Sequence, residues 1–473
     1  MTSGAIVATA RSIAAGEVTA EAAVRECLRR IDERDGALHS VVALRAEEAL
    51  HEARELDVAL DRDGVVRGPL HGVPVLVKDL EDVEGMPTRK GSRLFADAPP
   101  ATEDETIPAR LRAAGAVIVG KTNLPEFATE GFSDNLLDGP THNPWDLRMS
   151  PGGSSGGAGA ALAAGIVPIA TATDGGGSVR IPAGLCGLLG LKPTFGAVGR
   201  WPAADWLDLT TYGPLATTTE DLALLFSLMT GRVDGDPSST PALQFGTDQR
   251  CTRVIVAERT SPWGPLPDPV GPAFLDAAQR FAAMLDLEAE VIDGGQLFVD
   301  IGDPDVDWFT LATAEHAAAI GRDVVQARLS EMHPAAAGFM EQGLSVTIDD
   351  YLASRRRRPA YTRIMDRLLG SDTVLLTPIL GVEGLLADGR LLGTEEVEML
   401  APDVYSTPMQ NITGHPAMSL PAGCYPSGFP FGLQVTAPRW RDDLLFDLAA
   451  KWEVAYPWPR TAPGYDEFSV PRA

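Results

Sequence analysis

Residues 150–180 read SPGGSSGGAGAALAAGIVPIATATDGGGSVR, which sets serines at 154, 155 and 178 among glycines on either side of an Ala-rich run. A serine hydroxyl is a weak nucleophile and needs an adjacent base. The chain offers few nitrogen bases that can lose a proton. It has five lysines (78, 90, 121, 192 and 451) among 39 basic residues, so arginine supplies the other 34. Four of the five lysines fall between 78 and 192. Arginine stays protonated at any usable pH, so a lysine kept against that bias suits a role that requires proton loss. Lys78 ends the apolar run HGVPVLVKDL. Burial there penalises the ammonium and lowers its proton affinity from an ordinary value of about 10.4. In Asp174-Gly175-Gly176-Gly177-Ser178, three glycines let several backbone N–H groups face one point beside Ser178. Such donors stabilise the oxyanion of an acyl-transfer intermediate. Asp174 and Arg180 flank this loop and are expected to brace it as an ion pair.

Other readings of the Gly/Ser clusters fit less well. A linker joins domains, whereas this segment leads into apolar runs on both sides. A phosphate-binding P-loop requires a lysine after its glycines, and none follows here. The dinucleotide fingerprint lacks its third glycine, because Leu162 stands in that place. Gly152-Gly153-Ser154-Ser155-Gly156 does match the nucleophile elbow of α/β-hydrolases. That elbow follows an apolar strand, but THNPWDLRMSP precedes it here. An elbow-type serine esterase would also need His316, His333 or His415 as base, so it is retained only as a remote alternative. No serine lies three residues before a lysine, which excludes a penicillin-binding S-x-x-K arrangement.

The elements that must hold these groups alternate between strand and helix. TAEAAVRECLRRIDERDGAL reads as an amphipathic helix with Thr19 as N-cap. HGVPVLVKDL, ending in Lys78-Asp79, reads as a buried strand, TIPARLRAAGAVIVGKTN as helix, Gly turn and strand, AGAALAAGI as a helix of small residues and VPIATATD as a strand. CTRVIVAE and DTVLLTPIL are further strands, with helices such as GPAFLDAAQRFAAMLDL between them. This alternation implies an α/β fold. The formal net charge of −26 repels nucleic acid and anionic lipid. The basic run Arg355–Arg358 sits in a helical pattern and reads as an ion-paired or solvated face. No stretch approaches the roughly 18 apolar residues of a membrane span. Cys27, Cys186, Cys251 and Cys424 show no CxxC spacing, which argues against a zinc site or a disulfide scaffold. The N-terminus lacks a basic start followed by a long apolar run. A cytoplasmic location without a membrane or nucleic-acid partner is the expectation.

The segment GGSSGGAGAALAAGIVPIATATDGGGSVRIPAGLCGLLGLKPTFG closely resembles the defining stretch of the amidase signature family. HGVPVLVKDL, GKTNLPEF, HNPWDL, TPMQNITGHPAMSLPAG and GFPFGLQV resemble other pieces of that family. The resemblance is strong over about 70–200, returns in the last quarter and is weak over 200–370. It implies an α/β/α sandwich with a mixed central sheet covered by helices. It also implies a single amidase-like domain over 1–473, with the signature core at about 70–200, substrate loops and covering helices at about 200–370, and a C-terminal core segment at about 371–473. By position it implies a Ser–cis-Ser–Lys triad with Ser178 as nucleophile, Ser154 as the bridging cis-serine and Lys78 as base. The oxyanion hole would be the backbone of Gly175, Gly176, Gly177 and Ser178. Ser155, Asp174 and Arg180 would support it, and no metal or organic cofactor would be needed. The implied function is hydrolysis of a C–N acyl bond, an amide or a carbamate, with ester side activity. The principal alternative is a glutaminase-type subunit of a tRNA-dependent amidotransferase, for which Asp403 falls near the amino-group position. Trp201 and Trp206 point instead to a bulkier apolar pocket for a small-molecule substrate. Lys121, Lys192 and Cys186 are expected to be structural, and Asp79 to orient Lys78 or cap a turn. The sequence leaves open whether the protein is a monomer or a homo-oligomer.

Overall fold

A computed structural model describes residues 3–243, 250–260, 265–392 and 406–472. Among these residues thirteen strands run in chain order: β1 (Val41–Leu44), β2 (Pro74–Lys78), β3 (Val117–Thr122), β4 (Ile169–Ala170), β5 (Thr173–Asp174), β6 (Leu189–Lys192), β7 (Thr211–Tyr212), β8 (Leu215–Ala216), β9 (Arg253–Val256), β10 (Ala289–Val291), β11 (Thr373–Pro378), β12 (Ala417–Cys424) and β13 (Pro430–Thr436). They pair in three groups: β1-β3-β2-β4, β10-β9-β11-β13-β12-β6-β8, and the short pair β5-β7. The pairing is mixed. β2 runs parallel to β3 and β4, whereas β12 is antiparallel to both β13 and β6. Helices surround these sheets, giving the α/β architecture that the alternating pattern predicts.

Local chemistry explains the elements that matter for the site. β2 is buried on both faces, and its apolar run Pro74–Val77 fits that setting. The helix Ala20–Arg34 begins where expected, with Thr19 Oγ1 accepting from the Ala22 N–H at 3.0 Å. The helix Gly156–Ala163 is built of small buried residues apart from Leu162, which lets it pack close to the helix Arg180–Cys186.

The predicted strand over VPIATATD is split. Ala170 still pairs with Leu76 of β2, but Thr173 has turned away to pair with Tyr212 of β7. The break lets the Thr171 and Thr173 hydroxyls reach the end of β2.

The stretch 200–370 supplies β7 to β10 as well as covering helices. Its β9 lies between β10 and β11 in the seven-stranded sheet. The main core mixes Val75 and Val77 with Phe274, Phe281, Leu433 and Trp452, joining segments far apart in sequence. Arg355–Arg358 lie on the helix Ile348–Leu369 and are mostly paired, Arg355 and Arg358 with Asp208 and Arg357 with Asp307. No described helix is long and apolar enough to cross a membrane.

Candidate active site

Lys78 is the last residue of β2 and is fully buried. Its backbone N–H donates to Thr171 Oγ1 at 2.9 Å, which fixes the strand end. Its Nζ lies 2.7 Å from Ser154 Oγ, 2.9 Å from Thr173 Oγ1 and 3.0 Å from Ser155 Oγ. Burial pushes its pKa down to about 7, against the opposing pull of the Glu81 and Asp174 carboxylates. Without its extra proton, Nζ keeps two N–H donors and gains one lone pair. Three hydroxyl neighbours match that set: two can accept and one can donate.

Ser154 follows a cis Gly153–Ser154 peptide and stands just before the helix Gly156–Ala163. Gly153 packs on the backbone of residues 130–132, where a Cβ would lie 2.5 Å from the Glu130 carbonyl oxygen. Ser155 is in hydrogen-bond contact with the same network. Besides meeting Lys78, its N–H donates to the Ser178 carbonyl at 3.3 Å.

Ser178 precedes the helix Arg180–Cys186 and retains 8% exposure. Ser154, Thr173 and Ser178 line one cavity of about 240 Å³. No hydrogen bond joins Ser178 Oγ to Ser154, so the Lys78–Ser154 half of the expected relay is formed and the Ser154–Ser178 half is open.

The glycine loop is held from behind. Trp308 Nε1 donates to the Gly175 carbonyl at 2.7 Å, and Thr407 Oγ1 donates to the Gly176 carbonyl at 2.5 Å. Side chains at Gly175 and Gly176 would overlap the rings of Trp206 and Trp308. A trans peptide points its N–H away from its carbonyl, so the tether on the Gly175 carbonyl turns the Gly176 N–H to the other edge of the loop. The N–H groups of Gly175, Gly176 and Ser178 meet no protein acceptor among the described residues. Gly177 differs from expectation, because its N–H donates to Asp174 Oδ1 at 2.9 Å and so serves the loop.

Asp174 and Arg180 are both fully buried and paired two-fold, at 2.8 Å and 3.0 Å. Burial raises the Asp174 pKa, but Arg180, assisted by Lys192 and Asn411, holds it down at about 2. Arg180 also reaches the Thr407 carbonyl, Gln410, Asn411 and Gln434. The segment TPMQN thus returns to the site from the far end of the chain.

The remaining expectations separate. No hydrogen bond or ion pair joins the Asp79 carboxylate to Lys78 Nζ. Asp79 pairs with Lys121 Nζ at 3.2 Å, and Lys121 also donates to the Pro87 carbonyl and Thr88. Lys192 is buried and donates to the Pro193 carbonyl. Cys186 is a buried thiol whose pKa burial pushes well up. Trp206 forms part of the cavity wall, but Trp201 is 55% exposed and lies outside it, although its neighbours Arg200 and Pro202 both line the cavity. His333 lies near Asp134 and His415 near Asp366, whereas His316 lines the cavity. No hydrogen bond joins any of the three to a serine of the site. Asp403 lies outside the described residues. Among the described residues no cluster of His, Cys, Asp or Glu is arranged to hold a metal ion.

Thr173, Trp308, Thr407 and His316 are the site residues that sequence reasoning missed or gave another role. Thr173 and Thr407 lie within the family-like pieces of the sequence and His316 was weighed only as the base of an elbow-type esterase, whereas Trp308 carried no signal.

Comparison with known proteins gives a consistent picture. The family model described as Amidase matches residues 22–293 and 296–446. The chain is 32% identical to an acylamidase of Rhodococcus erythropolis over 96% of both sequences. It is 30% identical to a glutamyl-tRNA(Gln) amidotransferase subunit from a Cyanothece species, over 93% of this chain and 96% of that one. A crystal structure of a bacterial aryl acylamidase of the amidase signature family superposes with a TM-score of 0.85 at 26% identity, covering 95% of this chain and 96% of the other.

Proposed function

This chain belongs to the amidase signature family, and from that premise we propose that it hydrolyses a C–N acyl bond through an acyl-enzyme on Ser178. The observation that carries the reading is Lys78 Nζ, fully buried and 2.7 Å from Ser154 Oγ. Lys78 in its neutral form draws the Ser154 proton, and Ser154 draws that of Ser178 once a turn of the Ser178 side chain closes the open half of the relay. Catalytic hydrogen bonds often tighten only when substrate is bound. Ser178 Oγ attacks the acyl carbon, and the oxyanion meets the N–H groups of Gly175, Gly176 and Ser178. The proton then passes back through Ser154 to the leaving nitrogen. Water repeats the sequence on the ester to release the acid, and both steps balance without a cofactor.

The substrate class we assign is a small amide. The same attack extends to aryl esters and activated carbamates, whose leaving groups are better. Four free cysteines accord with a cytoplasmic location, which is part of the same reading. A second reading, a glutaminase-type subunit in a complex, is favoured by the 30% identity to the tRNA-dependent amidotransferase component. Co-purification of a second subunit would decide for it.

The test is to trap the acyl-enzyme. With p-nitrophenyl acetate, wild type should release a burst of nitrophenol and gain one acetyl group on the peptide containing Ser178, seen by mass spectrometry. Acetylation that persists at the same site class in Ser178→Ala, or a burst without acylation of this peptide, overturns the assignment.

A further inference from the structure

The 240 Å³ cavity beside Ser178 has charged groups such as Glu81, Lys90 and Arg200 in its lining as well as rings, and two of those rings carry polar atoms that meet no hydrogen-bond partner among the described residues. His316 is 3% exposed, and neither of its ring nitrogens has a hydrogen-bond partner among the described residues. Trp206 is 7% exposed, and its indole Nε1 has none either. The two rings meet edge to face, with centroids 5.6 Å apart and planes at 70°. Phe127 and Phe339 pack on His316 and offer it no hydrogen bond. A buried donor or acceptor left unpaired costs about 1–3 kcal/mol, and native proteins rarely leave several together. Three such atoms on two touching side chains, in the wall of a cavity that opens on the proposed nucleophile, point to a ligand that completes them.

The donor count defines that ligand. The charged groups that act on His316 are Asp205 and Lys90, which are paired with each other at 3.1 Å. Burial keeps the imidazole neutral, with its pKa pushed down to about 4. A neutral imidazole carries one N–H donor and one acceptor nitrogen, and the indole adds a second donor. The set is therefore two donors and one acceptor at the edges of two neighbouring rings. A carbonyl oxygen can take both donors, and an adjacent N–H can meet the acceptor. A carboxylate would leave the imidazole acceptor unpaired, and an ammonium would leave both donors unpaired.

We propose that His316 and Trp206 form a specificity subsite for a second, non-reacting amide, urea or carbamate group of the substrate, remote from the bond that is cut. This rests on the reading of Ser178 as nucleophile. The subsite selects bifunctional substrates over simple hydrocarbon acyl amides or anilides.

Two isosteric pairs test it, one for each half of the substrate. On the acyl side, hippuryl p-nitroanilide is compared with 4-phenylpentanoyl p-nitroanilide. On the amine side, 4-acetamidoacetanilide is compared with 4-isobutylacetanilide. In wild type, kcat/KM should favour the amide-bearing member of at least one pair by about tenfold, the scale of a satisfied buried polar pair. In that pair His316→Leu should cut the ratio about tenfold, mainly through KM of the amide-bearing member. His316→Gln, which keeps a donor and an acceptor, should retain part of the preference, and Trp206→Phe should lose a smaller part than His316→Leu. Circular dichroism melts verify folding, and Trp206→Phe supplies the reading if His316→Leu does not fold. Ratios near one in wild type for both pairs, or a ratio that neither His316→Leu nor Trp206→Phe changes, overturn the subsite while leaving the proposed function intact. Failure of wild type to cut any of the four compounds or to be acylated at Ser178 overturns both.

Discussion

At the scale of single residues, the site depends on groups whose burial changes their chemistry. Ser178→Ala should remove turnover by at least about a thousandfold while leaving the thermal melt in place, because Ser178 Oγ holds nothing together in the folded protein. Ser154→Ala should also fall by orders of magnitude, but less far if a water takes the place of its hydroxyl; steady-state kinetics on an anilide compare the two. Glu130 gives an independent test of burial. Its side chain is 3% exposed and neither oxygen has a partner, since the neighbouring Thr129 hydroxyl donates to the Glu126 carbonyl instead. Burial raises its pKa to about 8, against about 4.3 in an unfolded chain. Between those values the folded state binds more protons than the unfolded one, so stability falls as pH rises through this window, by at most about 1.4 kcal/mol per pH unit. Glu130→Gln removes that dependence. Its midpoint in urea should vary less than that of wild type between pH 5 and pH 8, and parallel curves would contradict the argument.

At the scale of elements, the glycine loop illustrates what a sequence reveals. The loop, β2 with its terminal lysine and the small-residue helix after Ser154 were all legible, because each is a local pattern. The split of the strand over VPIATATD was not, because both halves look equally strand-like and only the choice of partner, Leu76 or Tyr212, separates them. That split is why Thr173 was missed as a partner of Lys78. The tethers on the loop were hidden for another reason: Trp308 and Gly175 are 133 residues apart, and no short-range pattern announces such a contact. The conformational argument for three glycines was incomplete in the same way, since the rings of Trp206 and Trp308 leave no room for side chains there. Trp308→Phe keeps the ring contact but deletes the N–H that holds the Gly175 carbonyl. Losing one such hydrogen bond should lower kcat about tenfold, with a smaller change in KM. A rise in KM alone would mean that Trp308 shapes the cavity but does not orient the loop.

At the scale of the whole molecule, Arg180 ties the site to the C-terminal part of the chain. It joins Asp174 to the Thr407 carbonyl, Gln410, Asn411 and Gln434. The sequence showed the Asp174–Arg180 pair but not this reach, because the partners lie over 220 residues away. Arg180→Met leaves the fully buried Asp174 carboxylate without its cation. Breaking a buried pair from one side costs about 3–5 kcal/mol, so the urea midpoint should drop sharply. The double variant Asp174→Asn with Arg180→Met removes the stranded charge and should recover part of the loss. Equal destabilisation in the single and double variants would show that the other four contacts of Arg180, and not its charge pairing, hold the ends of the chain together.

The central claim is that neutral Lys78 is the base, and the pH dependence of kcat/KM tests it most directly. Lys78 is active without its proton, so the rate should rise with pH through a limb near pH 7. Glu81 must be separated from it, because burial raises that carboxyl to about 8 and its charge acts on Lys78. A negative Glu81 favours the ammonium, so Glu81→Gln should move the limb to lower pH without abolishing it. Lys78→Arg should be inactive across the range, since a guanidinium does not give up its proton. Disappearance of the limb in Glu81→Gln, or its survival in an active Lys78→Arg enzyme, would contradict the account.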